Sequence, residues 1–273
     1  MIRLHKCLLL SLAVTTLLSR AAGAQVAPHA RLEQSLDKIF PYPVVEGAQG
    51  QRDAAAMKEF AESAAASIPD GWLGIQASGT AMAGATTREC SATLDVARKN
   101  KLRLDCESAA GRSSLRIQAS KGVLVKEDGT IKSLGISPMG GPFPMIFDLW
   151  TIAQLPSVSV VDDGGAQVAG KELHKITLIY PAPSGSDSSG RQAIALYFDP
   201  ANHLLIHVVR SDRSTANTAH MLVHVSTYGD YRAVENAQVP FFFMETEDGH
   251  LGLRFQATNV VPEVEHDDSY FHF

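Results

Sequence analysis

"YGDYRAVENAQVPFFF", residues Tyr228–Phe243, decides how the rest of the chain is read. It has the form of a strand ending at Tyr228–Tyr231, a turn at Glu235–Ala237, and a second strand, Val239–Thr246, running back antiparallel. Pro240 has no N–H to give a ladder, so it belongs at a strand start or a sheet edge. Side chains alternate across a strand, so Phe241 and Phe243 share one face and Phe242 takes the other. A sheet with aromatic groups on both faces is either covered on both or lines an apolar cavity with one. Arg232 is expected at the sheet rim, because a guanidinium buried without a partner is prohibitive.

Working outward, the same period of two recurs almost everywhere after Trp72. "WLGIQASGTAMAG", "SSLRIQAS", "GVLVKEDGTIKSLG" (with Asp128-Gly129 as its turn), "KELHKITLIY", "QAIALYFDPANHLLIHVVRS", "HMLVHVSTYGDY" and "HLGLRFQATNVV" alternate in the manner of strands. About ten to eleven strands at this spacing, joined by short turns, pair antiparallel. Helical periodicity appears in "HARLEQSLDKIF", stopped by Pro41 and Pro43. It appears again in "RDAAAMKEFAESAAAS", with Asp53 as N-cap and Met57, Phe60, Ala61 and Ala64 on one stripe. One further apolar helix interrupts the strands: Met145, Ile146, Leu149, Trp150, Ile152 and Ala153, within 143–155. It follows Gly140, Gly141, Pro142 and Pro144 and ends before Pro156. The fold class is therefore α+β, a curved antiparallel sheet with N-terminal helices and an inserted apolar helix on its concave face.

The segment "CSATLDVARKNKLRLDC" reads as a hairpin that brings Cys90 to Cys106. With Val96 opposite Asn100, Leu94 faces Leu102, Ala92 faces Leu104 and Cys90 faces Cys106, all on one side. A disulfide enclosing 15 residues stabilises by about 3 kcal/mol; the alternative is two free buried thiols.

At the N-terminus, Arg3 and Lys6 precede the apolar run "CLLLSLAVTTLL" (Cys7–Leu18), and Ala22 and Ala24 occupy the small positions of a cleavage box. Residues 1–24 read as a signal peptide that sends the chain to the periplasm or outside the cell, and 25–273 as a single domain. The apolar run is shorter than the roughly 20 residues a bilayer requires, and no later segment is a transmembrane candidate. Loss of Arg3, Lys6 and Arg20 takes the formal charge from −5 to −8. An acidic chain without a basic cluster is not built for nucleic acid. An outer-membrane barrel would need long strands with an outward apolar band, which the polar alternation and N-terminal helices oppose.

The opening hairpin, the tail "TNVVPEVEHDDSYF" (Thr258–Phe271) and the hairpin "ALYFDPANHLLIHVVRS" (Ala195–Ser211) together resemble secreted bacterial proteins with the LolA/LolB-like fold, the periplasmic lipoprotein-carrier superfamily. The shared pattern is Asp-Tyr-Arg, a proline-started strand, and a tail that docks a terminal aromatic. The resemblance covers roughly the last third of the chain. It implies an unclosed half-barrel whose apolar interior accepts acyl chains, covered here by the 143–155 helix. On that reading Trp72, Phe143, Met145, Ile146, Leu149, Trp150, Phe241 and Phe243 line the ligand site, and no cofactor or metal is implied. The basic residue that such carriers place deep in the pocket has no assignable counterpart. After Pro262 the chain is expected to leave the sheet and fold back, docking Tyr270 or Phe271.

Catalytic signatures do not emerge: the chain has no G-x-S-x-G, H-E-x-x-H, C-x-x-C or phosphate loop. Asp162-Asp163 and Asp267-Asp268 sit beside turn residues and read as solvated strand ends. His203 and His207, with His220 and His224, form i, i+4 pairs. In one hairpin register His203 opposes His224 and His207 opposes His220, on the convex, solvent-facing side. Such pairs lie about 13 Å apart and lack further ligands for zinc. The expected function is binding of an apolar or acyl-chain ligand without catalysis; the alternative is an envelope interaction module whose cavity is filled by its own side chains.

Overall fold

A computed structural model describes residues 53–66, 72–83, 89–98, 101–118, 121–135, 155–181, 191–213, 221–262 and 264–272. The helix expected at 29–40 and the apolar helix at 143–155 lie outside these residues. The first described element is helix α1 (Ala54–Ala66). Strands β1 (Gly74–Ala83), β2 (Cys90–Ala97), β3 (Lys101–Ser108), β4 (Gly111–Gln118), β5 (Lys121–Val125) and β6 (Ile131–Gly135) form one meander. A second comprises β7 (Ser159–Val168), β8 (Lys171–Pro181), β9 (Arg191–Phe198), β10 (Leu205–Arg213), β11 (Met221–Val234), β12 (Ala237–Glu247) and β13 (His250–Pro262). A 3-10 turn, Asp268–Phe271, follows in the tail.

All thirteen strands belong to one antiparallel sheet in the order β6-β5-β4-β3-β2-β1-β13-β12-β11-β10-β9-β8-β7. The two meanders meet where β1 pairs with β13, and among the described residues the sheet stays open, with β6 and β7 as its edges. Thirteen strands exceed the expected ten to eleven, and β7 is the one that no stretch read as a strand covered. Its Asp162-Asp163-Gly164-Gly165 run has the composition of a turn, yet it is a bulge: the ladder to β8 slips between Asp162 and Gly164, and Gly164 takes φ 75°. The carboxylate pair at 162–163 is thus mid-strand rather than at a solvated end.

One face of the sheet, here the inner face, carries the main apolar core. Leu94, Val96, Leu102, Leu104, Ile117, Val160, Ile176, Leu178, Ile194, Leu196, Phe198, Val208, Tyr228, Val239, Phe243 and Phe255 are all buried in it. Helix α1 adds Ala56 and Phe60, the Phe60 ring meeting Phe198 edge-on at 5.7 Å. The helix turns inward Ala56, Glu59, Phe60 and Ser63; of the expected stripe Phe60 is buried, Met57 half-buried and Ala61 exposed, and the Ala64 side chain lies outside those described. Asp53 stands just before the helix, and its carboxylate also takes the backbone N–H of Asp162 on β7, at 2.9 Å. A smaller cluster on the outer face gathers Val168, Leu173, Ala195, Tyr197, Val209, Val223, Val225 and Met244, with Phe242 packed beside it.

The opening hairpin is as expected in kind and tighter in detail. Val234 pairs with Ala237, so the turn is Glu235-Asn236 alone, with Glu235 at φ 52°. Phe241 and Phe243 face inward and Phe242 outward. Pro240 falls where β12 is paired with β11 only, because the ladder to β13 begins at Phe242. Arg232 is at the rim, paired with Asp230 at 2.6 Å and lying 4.4 Å over the Phe241 ring.

The cysteine hairpin keeps its faces but slips by two residues. Ala97 pairs with Lys101, Leu94 with Leu104 and Ala92 with Cys106, so Cys90 is diagonal to Cys106 instead of opposite it. The two are nevertheless joined as a disulfide, with a Cα–Cα distance of 5.6 Å.

Candidate functional site

The inner face is the first candidate. Its apolar surface is continuous from Ile117 on β4 across β3, β2, β1, β13, β12 and onward to Val160 on β7. Trp72, Phe241 and Phe243 belong to it, at 2, 7 and 1% exposure. Phe143, Met145, Ile146, Leu149 and Trp150 lie outside the described residues. The alternation of β12 and the two-residue spacing of its phenylalanines are what place Phe241 and Phe243 together. Tyr228, opposite Phe243 in the ladder, stacks at 5.5 Å with its ring tilted by 49°. Burial pushes its phenol well above the usual range. Towards the far end of β10–β12 the inner face turns polar: Arg210 donates to Glu245 at 2.9 Å, and His224 approaches Glu245 and Glu247 at 3.9 and 3.7 Å.

A second, wholly polar constellation lies where α1 meets β7, β8 and the β9–β10 turn. Glu59 is 5% exposed and engages two imidazoles, His203 Nδ1 at 3.0 Å and His174 Nδ1 at 3.1 Å. His174 Nε2 in turn meets Asp162 Oδ1 at 2.8 Å, and Glu62 Oε2 stands 3.5 Å from His203 Nδ1. Burial opposes charge on His174, but its bonds to Asp162 and Glu59 outweigh that and hold its pKa above the ordinary value. The His174 bond correspondingly holds the Asp162 carboxyl low. No apolar helix stripe would include Glu59, which is why the sequence pattern passed over it. The signal was present as a glutamate on the buried side of an alanine-rich helix.

The histidine pairing expected from the sequence does not form. The β10–β11 ladder sets His207 opposite Thr227 and His224 opposite Arg210, while His203 precedes β10 in the turn; His220 is outside the described residues. None of His203, His207 and His224 is a freely solvated outer residue. His203 joins Glu59, His224 lies on the inner face, and His207 is pressed against Tyr197 and Thr227. Burial, reinforced by Lys171, drives the His207 pKa down to about 4.

A third polar centre fastens the C-terminal tail to the outer face of β1–β4. Asp95, 1% exposed, accepts from Gln76 Nε2 (2.8 Å) and Tyr270 Oη (2.8 Å), and meets His266 Nε2 (2.9 Å). Arg103 lies 4.3 Å over the Tyr270 ring and donates to the Tyr270 carbonyl, Arg116 donates to that of His272, and Phe271 is 1% exposed. The expected fold-back of the tail after Pro262 is therefore present. Asp267 caps the 3-10 turn through the Ser269 N–H.

No family model matches the chain, and no curated protein sequence does. Solved structures do match. A putative outer membrane lipoprotein-sorting protein domain from Vibrio parahaemolyticus aligns over 80% of this chain and 96% of its own, at 10% identity and a TM-score of 0.51. A LolA superfamily protein from Nitrosomonas europaea aligns over 80 and 97%, at 10% identity and 0.50. A DUF1329 family protein from Desulfovibrio piger aligns over 80 and 96%, at 8% identity and 0.51. At such identities the likeness concerns architecture, and it agrees with the open thirteen-stranded sheet: the chain has the LolA-like fold.

Proposed function

We propose that this protein is an exported, non-catalytic carrier that holds an apolar or acyl-chain ligand, of a lipid or lipoprotein, against the inner face of its sheet. The observation that supports this most is the single apolar cluster that spans the inner face, on a sheet that stays open among the described residues. In the chain, the segment joining those two free edges, β6 and β7, is the one carrying Phe143, Met145, Ile146, Leu149 and Trp150. With Trp72, Phe241 and Phe243 these residues form the proposed ligand contacts, in one domain of residues 25–273 after removal of a signal peptide at 1–24. Among the described residues no helix is long and apolar enough to cross a membrane.

One observation favours a second reading. Tyr228, Phe243, Leu94 and Leu102 are already 1% exposed or less without any ligand, as in a cavity filled by the protein itself. The protein would then be an envelope interaction module. Mass spectrometry of organic extracts, from mature protein purified without detergent, separates the two. Co-purifying lipid and saturable binding of a fluorescent fatty-acyl probe after delipidation are expected of the carrier. Absence of both gives the role to the self-filled module.

A further inference from the structure

We propose that Glu59, Glu62 and His203 form a divalent transition-metal site, best matched to Zn2+, independent of the inner apolar face. Glu59 and Glu62 are three apart on α1 and so lie on one side of the helix. His203 comes from a different part of the fold, the turn before β10. The three donor atoms lie within 4.8 Å of one another, with His203 Nδ1 at 3.0 Å from Glu59 Oε1 and 3.5 Å from Glu62 Oε2. Tetrahedral zinc with bonds of about 2.0–2.1 Å separates its ligand atoms by about 3.3–3.5 Å. The two sides that meet at His203 are thus close to the separation a zinc ion requires, and the third is below 4.8 Å.

Charge makes the same demand. A single Nδ1–H donates well to one carboxylate oxygen, while here two carboxylates converge on it. Lys58 approaches the other oxygen of Glu62, Oε1, at 3.6 Å, leaving Oε2 turned to the imidazole. A cation between the three groups would satisfy both carboxylates at once. The outer support that metal ligands need is also present, since the second oxygen of Glu59 is held by His174 and His174 by Asp162. His203 itself is fixed: it sits at φ 60°, with its N–H bonded to the Asp199 carbonyl at 2.8 Å. The side chains of Glu62 and His203 remain 37 and 35% exposed, so an ion can enter and a water can complete the coordination.

The test uses the mature chain, stripped with a chelator and titrated calorimetrically with ZnCl2, with melting temperature and Co2+ absorption as parallel readouts. One equivalent of zinc is expected to bind and raise the melting temperature; Co2+ added to the stripped protein is expected to give the visible bands of four-coordinate cobalt, which zinc then displaces. Glu62→Gln removes a half-exposed donor, and His203→Asn keeps a residue that tolerates positive φ; circular dichroism verifies that both fold. Each is expected to weaken binding about tenfold or more and abolish the thermal shift. Absence of saturable one-to-one binding by the folded wild type, or unchanged affinity in both variants, overturns the site.

Discussion

Asp95 shows what a single residue contributes here. Its carboxylate, out of contact with water, gathers Gln76 from β1 and both His266 and Tyr270 from the tail. Asp95→Ala strands those groups around a void, and each polar group so orphaned costs about 1–3 kcal/mol. The expected loss is about 3 kcal/mol in urea unfolding, with earlier proteolysis of the C-terminal tail in native buffer. An unchanged unfolding midpoint would show that the tail contributes little. His207 makes a prediction of opposite character, because it is held neutral. Its folded pKa is near 4 against an ordinary 6.5, so the unfolded chain binds the proton more readily. Its contribution to stability is therefore intact above pH 6.5 and lost as pH falls towards 4. In wild type minus His207→Gln, the stability difference should decline across that window and be flat above pH 7. Neither role was legible beforehand. Asp95 alternates outward on β2 like any solvent-facing residue, and only the returning tail buries it.

At the scale of elements, the strand pattern is reliable and the registers are not. Alternation assigned the correct inward faces to Cys90, Leu94, Leu102 and Cys106, because a slip of two residues leaves every side chain on its own face. The same arithmetic leaves the position of the turn free, which is why the ladder closes with Ala97 opposite Lys101 and not Val96 opposite Asn100. The missing strand, β7, shows the reverse case: a bulge imitates a turn in composition. Helix α1 was recognised, but its inward stripe was displaced by one residue because Glu59 is held by histidines distant in sequence. One glycine is decisive at this level. At Gly79 the β1–β13 ladder slips, and a Cβ would stand 2.0 Å from the Gln256 carbonyl oxygen, which is backbone and cannot rotate away. Gly79→Val is expected to destabilise by more than about 3 kcal/mol. Soluble yield and thermal unfolding check it, and a melting temperature within a few degrees of wild type would contradict it.

At the scale of the whole molecule, the β1–β13 pairing holds the sheet together. It joins residues such as Ile75 and Pro262, and without it the chain is two separate meanders. Ending the chain after Gly249 removes β13 and leaves β1 and β12 with bare inward edges. The expected product is aggregated, eluting in the void on size exclusion, since unpaired apolar edges recruit one another. A monomeric, cooperatively unfolding truncation would show that the two remaining six-strand meanders do not depend on the seam. The same seam brings Phe243 on β12 and Leu94 on β2 into one apolar surface, on which the carrier reading rests.

The sequence alone determined what depends on period and local chemistry. It yielded an antiparallel β-rich chain, the inward and outward sides of β12, the fold-back of the tail, the partnership of Cys90 and Cys106, and the resemblance that named the architecture. The strands, the sides of β12 and the cysteine pairing follow from alternation, prolines and turn residues acting over a few positions, and the fold-back of the tail from the resemblance. Only the tertiary structure decided what depends on closure between distant segments. It fixed the seam of β1 with β13, the buried station of Asp95, and the meeting of Glu59 and Glu62 with His203. The physical reason is separation along the chain, for the seam as for the polar groups. A buried polar group is tolerable only beside its partners, and those partners lie roughly 140 to 175 residues away, where no local pattern reaches.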